Sequence, residues 1–105
     1  MELKIFWTDF SLKELEKIYK YFRERAGVRI AKKIVDGIYK ETLKLKKQSK
    51  IGQKEGLLKN RKEEFRYLVF KSYKIIYWIN YEKKQVEIND IFDTRQNPIK
   101  IKRNK

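Results

Sequence analysis

The chain has 105 residues, which is enough for one domain and too few for two. It contains neither cysteine nor histidine, so disulfide frameworks, thiolate metal sites and cysteine nucleophiles are excluded, and only Asp and Glu remain as metal ligands. We therefore expect no metal and no cofactor. The 28 Lys and Arg residues outnumber the 14 Asp and Glu residues, giving a formal net charge of +14, and such a field attracts nucleic acid, the ribosome or an acidic protein.

The first predicted elements are a short strand and two helices. Apolar residues alternate over residues 3–7, which is the period of a strand. Thr8, Asp9 and Ser11 offer N-cap oxygens, and Ser11 with Glu14 fits a capping box. Apolar residues at helical spacing then predict a helix to about Arg25. After Gly27 a second apolar stripe predicts a helix to about Lys47. The short break between them predicts an antiparallel helical hairpin that covers one face of a sheet.

The second half of the chain predicts a loop and three strands. Residues 48–61 are polar and contain two glycines, so we expect a loop there. Residues 65–69 alternate in polarity, and residues 73–80 are nearly continuous aromatic and β-branched sequence, typical of a central strand. The last strand begins near Val86, and its alternation slips at Asn89–Asp90, which indicates a β-bulge.

These elements predict an α+β fold in the order β-α-α-β-β-β, a four-stranded antiparallel sheet with the helical hairpin on one face. The other face, rich in aromatic and basic residues, is expected to be open. We expect Tyr73, Tyr77, Trp7 and Trp78 to be packing residues. The whole chain, 1–105, is interpreted as one domain in which 95–105 form a basic C-terminal tail. No apolar run approaches the roughly 18 residues that a membrane span requires, and no signal-peptide segment is found, so no membrane partner and a cytoplasmic location are expected.

The positive charge is concentrated in two places. Residues 44–62 contain eight basic residues (44, 46, 47, 50, 54, 59, 61 and 62) and one acidic residue, Glu55. After Asp93 the tail carries five basic residues and no acid. Clustering of this kind favours an anionic partner, although a lysine-rich surface that only keeps the protein soluble is the alternative interpretation.

Several local strings, taken in their order, resemble the RelE/ParE toxin superfamily. They are the first strand ending in Trp7, Ile51–Gly52, Phe65–Arg66, Tyr73–Tyr77 and Ile91–Pro98. The resemblance implies the toxin half of a type II toxin–antitoxin module. Some members cleave mRNA on the ribosome, and others poison DNA gyrase. It also implies a cognate antitoxin partner, which we expect to be acidic and partly disordered before binding.

The resemblance also implies candidate site residues. For RNA cleavage, Arg66 and Arg95 match the family's arginines, and Lys74 or Lys54 is expected to assist. Arginine suits this chemistry because its planar fork binds phosphate and stays charged. For target binding, the candidates are Lys54, Arg61, Arg66 and Arg95. The purely structural alternatives are an ion pair of Arg66 with Glu64 or Glu87, and of Arg95 with Asp93 or Asp90.

The residues near the C-terminus favour one of the two kinds of toxin over the other. Ribonuclease members tend to carry a tyrosine or histidine near the C-terminus, and this tail has neither. The string Asp93–Pro98 instead resembles the ParE side, where no catalysis is attributed to the toxin. We therefore predict a gyrase-binding toxin; the alternatives are a ribosome-dependent mRNA endoribonuclease and a non-toxic basic nucleic-acid-binding module. The sequence interpretation further expects Arg66 and Arg95 to lie together on one concave flank.

Overall fold

The N-terminal part of the chain forms a strand and a helical hairpin, as predicted. In the computed structural model, which describes residues 2–104, β1 spans Lys4–Trp7, α1 spans Asp9–Ala26 and α2 spans Val28–Leu43. The cap of α1 is Thr8, whose side chain accepts the Ser11 N–H, so the helix begins before the predicted Ser11–Glu14 capping box. Gly27 separates the helices at φ 91, a left-handed conformation that favours glycine.

The sheet has five strands and is mixed, which corrects the expectation of a four-stranded antiparallel sheet. The remaining strands are β2 (Gln53–Lys54), β3 (Arg66–Phe70), β4 (Tyr73–Asn80) and β5 (Gln85–Asp93). Their order is β1-β5-β4-β3-β2, and β1 pairs with β5 in parallel. The sequence could not predict the orientation of β1, since the path of the hairpin decides it, and the two residues of β2 are too few to show a period.

The predicted β-bulge is confirmed. Ile76 pairs with Asp90, whereas Tyr77 pairs with Ile88, so Asn89 is the extra residue of β5. A bulge turns the strand locally and lets the next residues continue with the opposite alternation. Ile88 therefore belongs to the core under the helices. Asp90 instead points to the opposite face of the sheet, where Arg103 near the C-terminus binds it.

The main core lies between the helical hairpin and one face of the sheet. Its fully buried members include Ile38, Leu45, Ile75 and Tyr77, each 0% exposed. Tyr73 also belongs to this core, and Trp7 packs against it, as predicted. The helices contribute their apolar stripes, so burial of these stripes is what holds the hairpin on the sheet.

The opposite face of the sheet is covered, which corrects the expectation that it is open. Two 3₁₀ helices, Gly56–Leu58 and Pro98–Arg103, lie over it. They bury Leu58 and Ile101 against Phe65, Ile76 and Phe92, and Trp78 packs on the same cluster. Asn97 caps the second 3₁₀ helix by accepting the Ile99 N–H, and proline opens it. The basic composition of the tail gave no sign of this packing. Ile101 is the buried apolar residue that holds the segment against the sheet.

Candidate functional site

The side chain of Arg66, at the start of β3, is fixed by hydrogen bonds to residues of the preceding loop. Its guanidinium donates to the carbonyl oxygens of Gly52 (2.9 Å) and Lys50 (3.3 Å) and to Glu64 (3.1 Å). The side chain is 15% exposed. It lies opposite Tyr77, whose hydroxyl accepts the Gly52 N–H at 2.9 Å. Arg66 therefore fixes residues 50–52 against the edge of the sheet on the helix-covered face.

Arg95 lies just beyond β5 and forms a forked ion pair with Asp93. Its Nε and Nη2 donate to the two carboxylate oxygens at 2.9 and 2.8 Å. The side-chain hydrogen bond to Arg95 lowers the pKa of Asp93, and the same bond raises the pKa of Arg95. The Arg95 side chain is 55% exposed, and it lines a surface pocket of about 300 Å³ between α1 and the end of β5. Arg95 is thus paired and still accessible to a partner molecule.

The structure does not bring Arg66 and Arg95 together, so that expectation is wrong. Arg66 pairs with Tyr77, whereas Arg95 follows Asp93, which pairs with Tyr73 at the other end of β4. Four strand residues separate the two levels, about 13 Å along the strand, and two strand spacings add to that across the sheet. The two guanidinium groups are not placed to act on one phosphate.

The two candidate lysines also have carboxylate partners. Lys74 bonds to Glu55 at 2.7 Å and lies 4.2 Å from the centre of the Tyr67 ring, on the face opposite to Arg66. Glu55 is 5% exposed, so this pair is largely shielded from water. Lys54 is exposed and bonds to Glu64 at 3.3 Å, and the hydrogen bond from Lys54 lowers the pKa of Glu64. Lys54 lines a surface pocket of about 400 Å³ together with Arg61, another of the candidate target-binding residues.

Arg61 and Arg103 anchor the C-terminal segment, which we define as residues 94–104. Arg61 donates to the carbonyl oxygens of Asn104 (2.9 Å) and Lys102 (3.1 Å). Arg103 donates to both oxygens of Asp90 at 2.8 and 2.9 Å and to Glu14 on α1 at 2.8 Å. Arg61, a predicted target-binding residue, therefore has a structural role here.

The Asp90–Arg103–Glu14 cluster was not singled out by the sequence analysis. Asp90 is 2% exposed, and burial raises its pKa to about 6, although the Arg103 hydrogen bonds oppose this shift. Burial also acts on Glu14, but the bonds from Arg103 and Lys17 prevail and lower its pKa. The available signal was an acid directly after the bulge and just before the apolar pair Ile91–Phe92. Its partner is thirteen residues further along, in a segment where basic residues are numerous.

Neither a metal site nor a membrane-spanning helix is found in the described part of the chain. No three carboxylates of residues 2–104 are grouped as a metal would require. None of the helices in that range is long and apolar enough to cross a bilayer.

Comparison with known protein families shows to which family this chain belongs. Residues 5–98 match the family described as the ParE toxin of the type II toxin–antitoxin system parDE. The chain belongs to the ParE toxin family. This confirms the RelE/ParE resemblance on the side that the string Asp93–Pro98 had favoured.

The structural comparison agrees with the ParE fold. A chain in the solved structure of the chromosomal ParDE toxin–antitoxin system from P. aeruginosa is similar with a TM-score of 0.72 and 18% sequence identity. The match covers 88% of this chain and 96% of that chain. At this identity the likeness concerns the fold. Comparison with curated protein sequences gives no match.

Proposed function

We propose that this ParE-family toxin inhibits growth by binding DNA gyrase, without cutting nucleic acid, and that a cognate antitoxin neutralises it. The observation that carries the proposal is the family match over residues 5–98. The geometry of the cationic residues is consistent with it. RNA cleavage needs a proton acceptor, positive charge and a proton donor around one phosphate. Arg66, Lys74 and Arg95 each pair with a carboxylate and are divided between two faces and two ends of the sheet.

Accessible cations are the groups that a binding toxin offers to its target. Among the predicted residues, Lys54 and Arg95 have side chains 69% and 55% exposed, whereas Arg66 is 15% exposed. We infer that Lys54 and Arg95 are target contacts. Arg61 and Arg66 support the same surface indirectly, because they hold the C-terminal segment and residues 50–52 in place.

The test is induced expression of the full chain, with and without the neighbouring small open reading frame. We expect growth arrest that the neighbour relieves, together with DNA breaks and an SOS response. The purified toxin should inhibit the supercoiling activity of gyrase in vitro. New in-frame cuts in mRNA with intact DNA would overturn the gyrase proposal in favour of a ribonuclease. Normal growth at high expression would overturn the toxin proposal itself.

Arg95→Ala is expected to separate target binding from stability. An exposed ion pair contributes about 0.2–1 kcal/mol, so the midpoint of urea unfolding should change little. Because the guanidinium is accessible, inhibition of gyrase should weaken about tenfold, as for loss of a charged interface contact. Lys83→Ala, which removes a positive charge from the turn between β4 and β5, is the control. Equal inhibition by both variants would remove Arg95 from the target surface.

A further inference from the structure

Three residues of α1 form a stripe on the side of the helix that faces the end of β5. Lys17, Tyr21 and Arg25 follow one another at intervals of four residues, so their side chains lie on one side of the helix. Lys17 and Tyr21 line the surface pocket of about 300 Å³ that Arg95 also lines. The guanidinium carbon of Arg25 lies over the Tyr21 ring, 3.9 Å from its centre. Two arginines from distant parts of the chain are therefore brought to one surface around Tyr21.

The Arg25 guanidinium is held in place, but no acid neutralises its charge. Within residues 2–104 it forms no ion pair, and its hydrogen bond is to the carbonyl oxygen of Tyr21 at 3.4 Å. Stacking on a ring uses the flat face of a guanidinium and leaves its N–H groups, which lie in the plane, for another acceptor. Arg66 and Arg103, by contrast, direct their N–H groups to carbonyl oxygens and carboxylates.

Arg95 and Lys17 also keep donors that face solvent. The Nε and Nη2 atoms of Arg95 are bonded to Asp93, whereas its Nη1 forms no hydrogen bond within the part of the chain that the structure describes. The side chain of Lys17 is 75% exposed, and Glu14 is its one carboxylate contact there. Each of the two cations can therefore donate to an added anion without giving up its present partner.

The two carboxylates of the pocket already have cationic partners. Asp93 pairs with Arg95, and Glu14 accepts a bond from Arg103 at 2.8 Å. Their negative charges are thus compensated within the protein. Arg25 adds a positive charge beside them that has no such compensation, so an anion that approaches this surface is attracted to it.

We propose that Arg25 and Arg95 hold one phosphate group of a DNA strand, with the neighbouring sugar or base against Tyr21. Guanidinium N–H groups suit phosphate oxygens, and aromatic side chains provide surfaces for nucleotides. A pocket of about 300 Å³ is at the lower end for ligand sites, so it suits one nucleotide unit better than a folded peptide segment. The choice of DNA rests on the proposed function, because gyrase acts on DNA. The toxin then recognises the enzyme and its DNA together.

The experiment measures binding of the purified full-length toxin to a short, fluorescently labelled DNA duplex by anisotropy. Arg25→Gln should weaken binding about tenfold, because it removes charge-assisted hydrogen bonds to phosphate. The matched control is Arg23→Gln, which removes the same charge. The Arg23 guanidinium carbon also lies over a tyrosine ring, 5.8 Å from the centre of Tyr19, but two residues along a helix place it on another side of α1. This control should bind like the wild type.

A double variant tests whether both arginines hold the same phosphate. With Arg25→Gln and Arg95→Gln together, the slope of log affinity against log salt concentration should become less steep by about 0.9, the value for one duplex phosphate. A control that combines Arg23→Gln with Lys83→Gln removes two charges elsewhere and should leave the slope unchanged. Twice the expected reduction in the double variant would show two separate phosphates and overturn the shared site.

Other results would also overturn the proposal. Equal weakening by Arg25→Gln and Arg23→Gln would show that only the net charge matters, and a wild type that fails to bind the duplex at low salt would remove the site. Binding of an RNA strand that depends on Arg25, without binding of the duplex, would favour RNA. Binding of DNA-free gyrase that depends on Arg25, again without binding of the duplex, would favour an acidic protein surface.

Inhibition of supercoiling is measured separately, so that the phosphate site and the proposed function can fail independently. Duplex binding that depends on Arg25, together with uninhibited gyrase, leaves the site in place and contradicts the proposed function. If Arg25→Gln binds the duplex like the wild type and both inhibit gyrase, the site is contradicted and the proposed function stays intact.

Discussion

Replacing Arg103 with alanine is expected to lower the free energy of unfolding by about 3 kcal/mol near neutral pH, because it leaves a buried carboxylate without its cation. Asp90 is 2% exposed and receives two hydrogen bonds from the guanidinium, and Glu14 receives a third. Urea unfolding followed by circular dichroism measures the change. Lys102→Ala, in the same 3₁₀ helix but exposed, is the control and should alter stability by less than about 0.5 kcal/mol.

The pH dependence of this variant identifies Asp90 as the cause. In the folded protein the pKa of Asp90 is raised to about 6 from an ordinary value of 3.8. A raised acid pKa means that the folded state binds the proton more tightly, so Asp90 adds stability as the pH falls below about 6 and loses it as the pH rises through that value. Without Arg103 the carboxyl becomes harder to ionise. The cost of Arg103→Ala should therefore shrink at about pH 5, where protonation removes the unpaired charge.

A double-mutant cycle completes this test. In an Asp90→Asn background, Arg103→Ala should cost much less than in the wild type, since no buried charge remains at position 90. A cost that is the same in both backgrounds and at both pH values would show that Arg103 acts through its bond to Glu14 and its packing on Phe10 and Phe92, and not through Asp90.

Gly52→Ala is expected to destabilise the toxin by about 1–3 kcal/mol through overpacking. A Cβ at this position would lie 2.5 Å from the Tyr77 hydroxyl oxygen and 2.8 Å from the Tyr67 carbonyl oxygen. Both are fixed, since Tyr77 is fully buried and Tyr67 is in β3. The backbone at residues 50–52 must then move, and Arg66 loses its two carbonyl acceptors.

Gly56→Ala is the matched control for this prediction. It is the other glycine of the predicted loop, and a Cβ there would meet no atom within 4 Å. Thermal unfolding of the two variants should therefore differ, with Gly56→Ala close to the wild type. Equal melting temperatures would contradict the close approach of residue 52 to Tyr77.

The local elements could be predicted from the sequence, whereas their long-range relations could not. The helical hairpin, the bulge at Asn89 and the packing roles of Tyr73 and Tyr77 follow from period and residue type. The parallel pairing of β1 with β5 depends on the path of the chain through two helices. The separation of Arg66 from Arg95 depends on register, which no local pattern encodes.

The candidate site could not be predicted because the chain contains so many basic residues. In a chain with 28 basic residues, the residues with structural partners cannot be told from the accessible ones by sequence alone. Arg61, Arg66 and Arg103 bind backbone carbonyls or buried acids, while Lys33 and Lys71 line an open groove without ion pairs. Only the folded structure distinguishes the cations that stabilise it from those that remain without an ion pair at the surface.

The parallel pairing of β1 with β5 has a consequence for synthesis of the toxin. Residues 4–7 have their strand partner at residues 85–88, and Glu14 receives its guanidinium from Arg103. During translation the amino-terminal third must therefore wait for the last residues to leave the ribosome before the sheet can close. A nascent or prematurely terminated chain lacks the C-terminal segment and with it Ile101 of the second core, so the fold is complete only when the polypeptide is finished.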